Sequence, residues 1–576
     1  MTVAGVEFRS RARARIFAAS GELSTLAVWG LAALIAVPLG YYHYNYEGLW
    51  EWDFFAVSIT TGLIAFVTLI SRRILFSTAL VTTIATLIVV ASEIKRQFID
   101  MILHAYDVVF YLTSWSTLSF LWVDHKKPLL GLIAAFLAIA GMAYLLFRYD
   151  SSRVKRSASA TVAVLCAITT YGIVASQKGD RAHTLFYWDS LYLSSFYASW
   201  SETIETLLRG QLLEAHANQS KPAFKVPTDC TPGERAPHII LIHQESVVPP
   251  SHFPTLGYDT SLDPFFKSYD GKLHKLRVET YGGASWLTEF SVLAGVSTFS
   301  FGNMRTFVQS LMQGKIRETL PQTLARCGYR NSLFYPVPKD FVSSGRFYNA
   351  IGINEIFDFK GQKAKRYNER DSFYYGNALN HMDQQLAASS GPLFTYIITA
   401  ATHLPYVDTY EPHVDVPGGK PGTDREMNEY LRRLAMAKMD YDGFRADLKR
   451  RFPGEKFLIV QYGDHQPIAT RTLLGYDQAT IAENVQLTPE SPGFLTYYAV
   501  EGINFDPAPL PLQKTVDVPY LSTILLQSAH LPLTESYQER ARLMRVCDGK
   551  YYTCRMKSEI LSFHRRLMDS GIVDAR

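Results

Sequence analysis

Three stretches of the chain end in residues that bind cations, and a fourth carries a hydroxyl where an anion would sit. HIILIHQES brings Glu245 just past one apolar run, and FLIVQYGDHQP brings Asp464 and His465 just past another, directly after Gly463. LFTYIITAATHLPY places His403 a few residues beyond a third. Two carboxylates and an imidazole are an oxygen–nitrogen donor set suited to one divalent cation. The adjacent pair Asp464-His465 behind a glycine is the most specific of these signals, since a solitary carboxylate after a strand is more often a cap or a solvated loop residue. In RVETYGGASWLTEFSVLAG, Gly282 and Gly283 allow close backbone approach, and Leu287–Leu293 has the pattern of a short helix. Ser285 then falls near a helix N-terminus, where free N–H groups and the macrodipole favour an anion. A hydroxyl beside a divalent cation can be deprotonated and attack phosphorus. Two other readings stay open: Ser285 as a plain helix cap, and Thr288, in the same turn, as the nucleophile.

For these side chains to meet, their strands must lie side by side. His238–His243, Ser332–Tyr335, Leu393–Ile398, Phe457–Gln461 and Phe494–Val500 are short apolar runs of the fully buried kind. Helical patterns separate them, the clearest from about Asp424 to Arg451, with Leu431, Leu434, Ala437, Tyr441, Phe444 and Leu448 at spacings of three and four. Thr423 and Glu426 have the capping-box spacing that would start it. Strands alternating with helices predict an α/β domain with a mostly parallel sheet covered on both faces. In such sheets ligands bind beyond the carboxyl ends of the strands, which is where Glu245, His403, Asp464 and His465 fall.

The chain is 576 residues long, more than one core usually organises. Five stretches have the roughly 20 apolar residues that a membrane span needs: Leu23–Tyr42, Phe54–Ile70, Ile74–Ser92, Leu129–Phe147 and Ala158–Ala175. Ile102–Trp122 is interrupted by Asp107, Ser114, Ser116 and Thr117, and its mixed polarity and aromatic residues suit a helix lying in the interface. Cytoplasmic loops are rich in Lys and Arg. The clusters Arg9–Arg15, Arg72-Arg73 and Arg148–Arg156 all lie inside only if Ile102–Trp122 does not cross, and everything after Ala175 is then outside; Lys95, Arg96, Lys126 and Lys127 go mildly against the rule. The expected layout is an all-α transmembrane bundle of five spans over residues 1–176, a connector over 177–236, and the α/β domain over 237–576. Of five cysteines, Cys166 lies in an apolar run, while Cys230, Cys327, Cys547 and Cys554 fall in the soluble part. That even number is compatible either with two disulfides in an oxidising compartment or with four free thiols. Cys547 and Cys554 flank DGKYYT and could staple a hairpin. A net charge of +4, from 57 basic and 53 acidic residues, points to no polyanion and gives nucleic acid little support as a partner.

Taken together, these segments resemble the sulfatase-like branch of the alkaline phosphatase superfamily, and within it the lipoteichoic acid synthases and the phosphoglycerol and phosphoethanolamine transferases. The likeness is strong from Pro237 to Pro467 and architectural before that. It implies Glu245, Asp464 and His465 as ligands of one divalent cation, either manganese or zinc, and Ser285, with Glu289 four positions on, as the nucleophile that the cation also touches. It implies His403, in THLPY, as a histidine on the substrate side, and Arg346, in FVSSGRFYNAIGINEIFD, as an arginine that contacts the phosphate-bearing head group. The implied activity is transfer of a phosphoglycerol or phosphoethanolamine group from a phospholipid to a glycan or lipid acceptor, outside a bacterial cytoplasmic (inner) membrane. Three departures stand out. Ser285 replaces the usual threonine. Tyr335 and Val337 stand where the lipoteichoic acid synthases have a histidine and an aspartate, which puts glycerol phosphate in question. No Pro-x-Arg signature follows Ser285, which disfavours sulfate esters. The rival readings are a hydrolase of the same superfamily and a catalytically dead sensor or scaffold.

Overall fold

In lipid every backbone N–H and C=O must be paired within its own segment, so apolar runs become helices. On its N-terminal side the chain forms α1 (Thr25–Tyr46), α2 (Trp50–Ser71), α3 (Ile74–Ile99), α4 (Lys126–Tyr149) and α5 (Arg156–Ser176). Among the described residues four helices are long and apolar enough to cross a membrane, over Leu26–Asn45, Asp53–Ser71, Ile74–Arg96 and Leu129–Tyr149, and α5 stands where a fifth span was expected. The computed structural model describes residues 24–47, 50–99, 102–111, 122, 126–176, 191–217, 221–226, 230, 236–341, 344–389, 391–476 and 487–575. They divide into two compact units, one built on the helices up to Ser201 and the other mainly on Glu202 onward.

Within the first unit α5 packs against α2. A Cβ at Gly62 would sit 3.1 Å from that of Cys166, and the Ser58 hydroxyl donates to the Cys166 carbonyl at 3.0 Å. The loop after α4 caps α3: Asp150 Oδ2 accepts from Phe76 N–H at 3.1 Å and Ser152 Oγ from Ile74 N–H at 2.9 Å, satisfying donors that a helix start leaves unpaired. Arg73 in turn donates to the Asp150 carbonyl at 2.7 Å. The basic clusters at Arg72-Arg73 and Arg148–Arg156 therefore share one end of the helices. Of the expected interfacial segment, residues 112–121 lie outside the described residues; Asp107–Tyr111 is a π-helical turn, and Asp107, polar in an apolar run, forms an ion pair with Lys95 at 2.7 Å. The connector holds α6 (Tyr192–Arg209).

The second unit is built on eight strands: β1 (His238–Gln244), β2 (His274–Arg277), β3 (Arg330–Phe334), β4 (Glu355–Phe357), β5 (Leu393–Ile398), β6 (Phe457–Gly463), β7 (Leu495–Ile503) and β8 (Thr515–Asp517). They form one sheet in the order β4-β3-β5-β1-β6-β7-β2-β8. β1 pairs in parallel with β5 and β6, and β3 with β4 and β5, as alternating strands and helices predict. The run Phe494–Val500, grouped with the buried strands on its apolar content, becomes β7 and runs antiparallel to both β6 and β2. Between β6 and β7 the described residues hold only the 3-10 turns Ile468–Thr470 and Pro492–Phe494. Among the described residues of this connection there is no crossover helix of the kind a parallel return uses, and the chain comes back beside β6 in the opposite sense.

Four helices of this unit bear on the site: α7 (Ser285–Ala294), α8 (Ser344–Ala350), α9 (Asp371–Ala388) and α10 (Arg425–Arg451). α9 and α10 cover the sheet face that presents Ile240 and Ile242, with Tyr375 and Phe444 stacked at 4.5 Å between ring centres. The cap of α10 is Asp424, whose carboxylate accepts from Met427 N–H at 2.9 Å, and not Thr423. Thr423 is one residue too far out, its hydroxyl turned back to the Lys420 carbonyl at 2.8 Å. Disulfides join Cys230 to Cys327 and Cys547 to Cys554, and Cys166 remains free. The short bridge fastens the end of the helix Glu535–Val546, where Cys547 is the C-cap, so it staples a helix terminus and not a hairpin.

Asp371, the first residue of α9, is fully buried; Oδ1 accepts from Ala400 and Ala401 N–H at 3.3 and 3.1 Å, and Oδ2 makes no hydrogen bond. Burial, reinforced by Asp440, raises its carboxyl from 3.8 to about 7. A raised folded-state value stabilises the protein fully below the unfolded value and loses that contribution as pH rises through about 7. Asp371→Asn removes the titration and keeps the acceptor. In thermal melts of the full chain at pH 5 and pH 8, the variant should gain on the wild type at the higher pH; an unchanged difference would refute the assignment.

Candidate active site

Side chains alternate along a strand, so His243 and Glu245 leave β1 on one face, opposite Ile240 and Ile242. β1 lies between β5 and β6, and its register sets Gln244 beside Gly463. The residues that follow, Glu245 on one strand and Asp464-His465 on the other, therefore emerge side by side. A Cβ at Gly463 would run into the Val247 carbonyl oxygen, so only glycine lets the two strand ends approach this closely. Asp464 Oδ1 is held by two backbone donors, Ser246 N–H at 2.7 Å and His465 N–H at 2.8 Å, which leaves Oδ2 facing inward. Glu245 is fixed through its backbone: its N–H donates to Thr399 Oγ1 at 3.3 Å and its carbonyl accepts from the Thr402 hydroxyl.

The hydroxyl comes from the third segment. Gly282 takes a left-handed conformation, its N–H donating to the Gln466 carbonyl at 3.0 Å, which ties the glycine turn to the Asp-His loop. Ala284 is also left-handed, at φ 60°, an unfavourable setting for a residue with a Cβ. It stands at the N-cap with no side-chain cap to offer, and Ser285 is the first residue of α7. Ser285 Oγ donates to Glu245 Oε2 at 3.1 Å and lies 3.3 Å from His465 Nε2. The cap reading of Ser285 fails on this geometry, because its oxygen faces the carboxylate and imidazole. Thr288 is fully buried and donates its hydroxyl to the Asp464 carbonyl at 2.7 Å, so it is a strut one turn below.

The donors form a tight group. His465 Nε2 lies 3.4 Å from Glu245 Oε1 and 3.2 Å from Asp464 Oδ2. Its Nδ1 is 2.9 Å from the Gln466 carbonyl, which can only accept, so Nδ1 carries a proton and Nε2 is the atom that would give a lone pair to a cation. Burial works to raise the Glu245 carboxyl, but His243, His465 and the charge of His403 hold it well below the usual carboxylate range. Burial works to lower the His465 imidazole, yet Asp464 and Glu245 raise it to about 9. Asp464 Oδ2, fully buried, makes no hydrogen bond. A cation about 2.0–2.2 Å from each donor would set neighbouring donors about 3.0–3.4 Å apart, which matches the spacings found. The residues present fit one divalent cation held by Glu245, Ser285, Asp464 and His465.

His403 follows β5 on the same sheet edge and is partly exposed. Its Nδ1 is engaged by the Leu404 carbonyl at 2.6 Å, its ring packs edge-on against Tyr367, and buried Arg433 holds its carbonyl at 2.7 Å. Arg346 is on α8, exposed, and is not among the groups that meet at Ser285. Glu289 is buried under α7 and accepts from Gln309 Nε2 at 3.2 Å and from the Tyr348 hydroxyl of α8, so it fastens the helix that bears Arg346 to the helix that bears Ser285. Tyr335 is buried, edge-on to Tyr348 at 5.5 Å. One residue of the site escaped sequence reasoning: His243, whose Nε2 lies 3.0 Å from Asp464 Oδ2 and 3.7 Å from Glu245 Oε2. Its position two residues before Glu245 was the available signal, since period two puts both on one face.

Residues 237–489 match the Sulfatase family model. A Haemophilus influenzae protein described as uncharacterized is 21% identical over 568 residues, covering 91% of this chain and 94% of its own length. Lipoteichoic acid synthase 2 of Bacillus subtilis is 26% identical over 181 residues, which is 30% of this chain and only 27% of the synthase. Among solved structures, the Streptococcus pyogenes phosphoglycerol transferase GacH aligns with a TM-score of 0.46 at 14% identity, over 62% of this chain and 96% of its own. The lipooligosaccharide phosphoethanolamine transferase A (EptA) of Neisseria meningitidis aligns at 0.44 and 13%, over 88% and 97%.

The contact of Gly463 with Val247 gives a direct test of how the strand ends are held. Gly463→Ala should force the two ends apart and destabilise the domain by about 1–3 kcal/mol, read as a lowered Tm. A variant as stable as the wild type would show that the approach is not tight.

Proposed function

We propose, on the match of residues 237–489 to the Sulfatase family model, that the protein is a membrane-anchored, metal-dependent phosphotransferase. It moves a phosphoglycerol or phosphoethanolamine group from a phospholipid to an extracytoplasmic glycan or lipid acceptor through a phosphoserine. The observation that carries this reading is Ser285 Oγ within 3.3 Å of both Glu245 and His465, at the start of a helix. The short match to lipoteichoic acid synthase 2 is consistent with it. An extracytoplasmic catalytic domain is supported by its two disulfides, which persist in oxidising compartments, and by the two basic loops that share one end of the helices.

When bound, the cation would lower the pKa of the Ser285 hydroxyl and offset the charge of the phosphate. Glu245 and His465 hold that hydroxyl in place. Its proton passes to solvent, its oxygen attacks the head-group phosphorus, the bond from phosphorus to the diacylglycerol oxygen breaks, diacylglycerol leaves with a proton taken up from water, and the head-group phosphate remains on Ser285. The first turn of α7 offers unpaired N–H groups to the phosphate oxygens. His403, with Nδ1 spent on Leu404, has Nε2 left for a phosphate oxygen, and Arg346 supplies a guanidinium from α8; both would stabilise charge as it builds. An acceptor hydroxyl then attacks the phosphoserine as it gives up its proton, the Ser285 Oγ–P bond breaks, and Oγ takes a proton back, which restores the enzyme.

Mass spectrometry of the peptide containing Gly282–Glu289, after incubation of the full chain with phospholipids, should find a head-group phosphate on Ser285. Ser285→Ala should abolish the adduct and cut transfer by about a thousandfold or more, while Thr288→Val keeps the adduct. An adduct on Thr288 would overturn the assignment of the nucleophile. Free head group without any modified acceptor would mark a hydrolase, and full cellular function of Ser285→Ala a scaffold.

A further inference from the structure

We propose that His243 is a fifth protein ligand of the cation, giving the site two imidazoles and biasing it toward zinc over manganese. The proposal rests on the cation site inferred above and adds a ligand to it from the middle of the sheet. His243 is fully buried on β1, on the strand face that also presents Glu245. Its Nε2 points into the donor group, 3.0 Å from Asp464 Oδ2, the separation expected of atoms sharing one ion about 2.0–2.2 Å away, and 3.7 Å from Glu245 Oε2, slightly wider.

A structural ion pair is the competing explanation, and the geometry argues against it. A buried imidazolium on a carboxylate would aim its N–H along the line to the oxygen. Here neither His243 Nε2 nor Asp464 Oδ2 makes a hydrogen bond, although both are fully buried and close together. Two polar atoms that face one point without bonding each other are accounted for by an ion between them. His243, Glu245 and Asp464 also form a group whose ligand atoms all lie within 4.8 Å of one another.

The far side of the ring is prepared for this role. Nδ1 lies 3.1 Å from the Tyr462 hydroxyl and 3.4 Å from that of Tyr396, and the two hydroxyls are 2.8 Å apart. A ligand imidazole needs its second nitrogen to donate to a fixed acceptor, so that the lone pair of the first turns to the metal. Nδ1–H donating to Tyr462, with Tyr462 and Tyr396 paired to each other, supplies that acceptor from the two strands that flank β1. Three oxygen donors with one imidazole suit manganese as well as zinc, whereas a second imidazole moves the preference to zinc.

X-ray absorption of the full-length protein in detergent, loaded with zinc alone, counts the imidazoles on the ion. Two are expected in the wild type and one in His243→Gln. In competition titrations, the zinc-to-manganese preference should fall about 10–100-fold in His243→Gln and about tenfold in Tyr462→Phe. If His243→Gln does not fold, the wild-type spectrum and Tyr462→Phe still decide. A wild-type spectrum with one imidazole would overturn this inference and leave the proposed function standing. A wild type that binds neither zinc nor manganese would overturn both.

Discussion

Two carboxylates, Glu245 and Asp464, are carried into the interior side by side by the parallel pairing of β1 with β6. Buried like charges are costly unless positive groups meet them, and most of the local architecture reads as an answer to that cost. The backbone N–H groups of Ser246 and His465 occupy one oxygen of Asp464, His465 bridges Asp464 and Glu245, and His243 approaches both from below. The two carboxylates raise His243 to about 10 and His465 to about 9, an excess of negative charge that a cation, once bound, would meet in place of the ring protons. In each case burial acts against the shift and the carboxylates overcome it.

Holding this arrangement requires backbone that ordinary elements avoid. Ser246 and Ala284 are both left-handed non-glycine residues, one directly after Glu245 and one directly before Ser285. Such conformations persist only where the surroundings over-determine them. Here the surroundings are visible: Thr399 and Thr402 pin Glu245, Gln466 pins Gly282, and the Thr280 hydroxyl donates to the Gly283 carbonyl at 2.6 Å. Local rules yield at the positions where three segments must present atoms to one point.

The strand ends were legible because a buried parallel strand has an unmistakable composition and its carboxyl end is where ligands bind. HIILIHQE and FLIVQYGDH each combine the two signals, and Glu245, Asp464, His465 and Ser285 do meet. His243 was not legible, because one histidine inside an apolar strand reads as packing until its neighbours across the sheet are known, and Tyr396 and Tyr462 are 153 and 219 positions away in the chain. The direction of β7 was hidden for a like reason: composition marks a strand as buried, while its sense depends on what lies between it and its neighbour. Thr423 lost the cap to Asp424 because both are good caps and only the path of the preceding loop selects one. Which cysteines pair was likewise a matter of distance in space.

One turn of α7 carries two hydroxyls, and the fold gives them opposite work. From sequence Ser285 is the expected nucleophile and Thr288 its rival, since either can form a phosphate ester. In the structure the first turn's end faces the carboxylates, while the next residue on the same side of the helix faces backbone. Thr288 spends its proton on the Asp464 carbonyl and so draws α7 against the loop that holds Asp464 and His465. Ser285, with no cap before it and left-handed Ala284 at its back, is left with Glu245 and His465 as neighbours. Placement along the helix, more than the identity of serine or threonine, therefore gives the part-buried Ser285 hydroxyl, and not the buried Thr288 hydroxyl, its contacts with the carboxylate and imidazole.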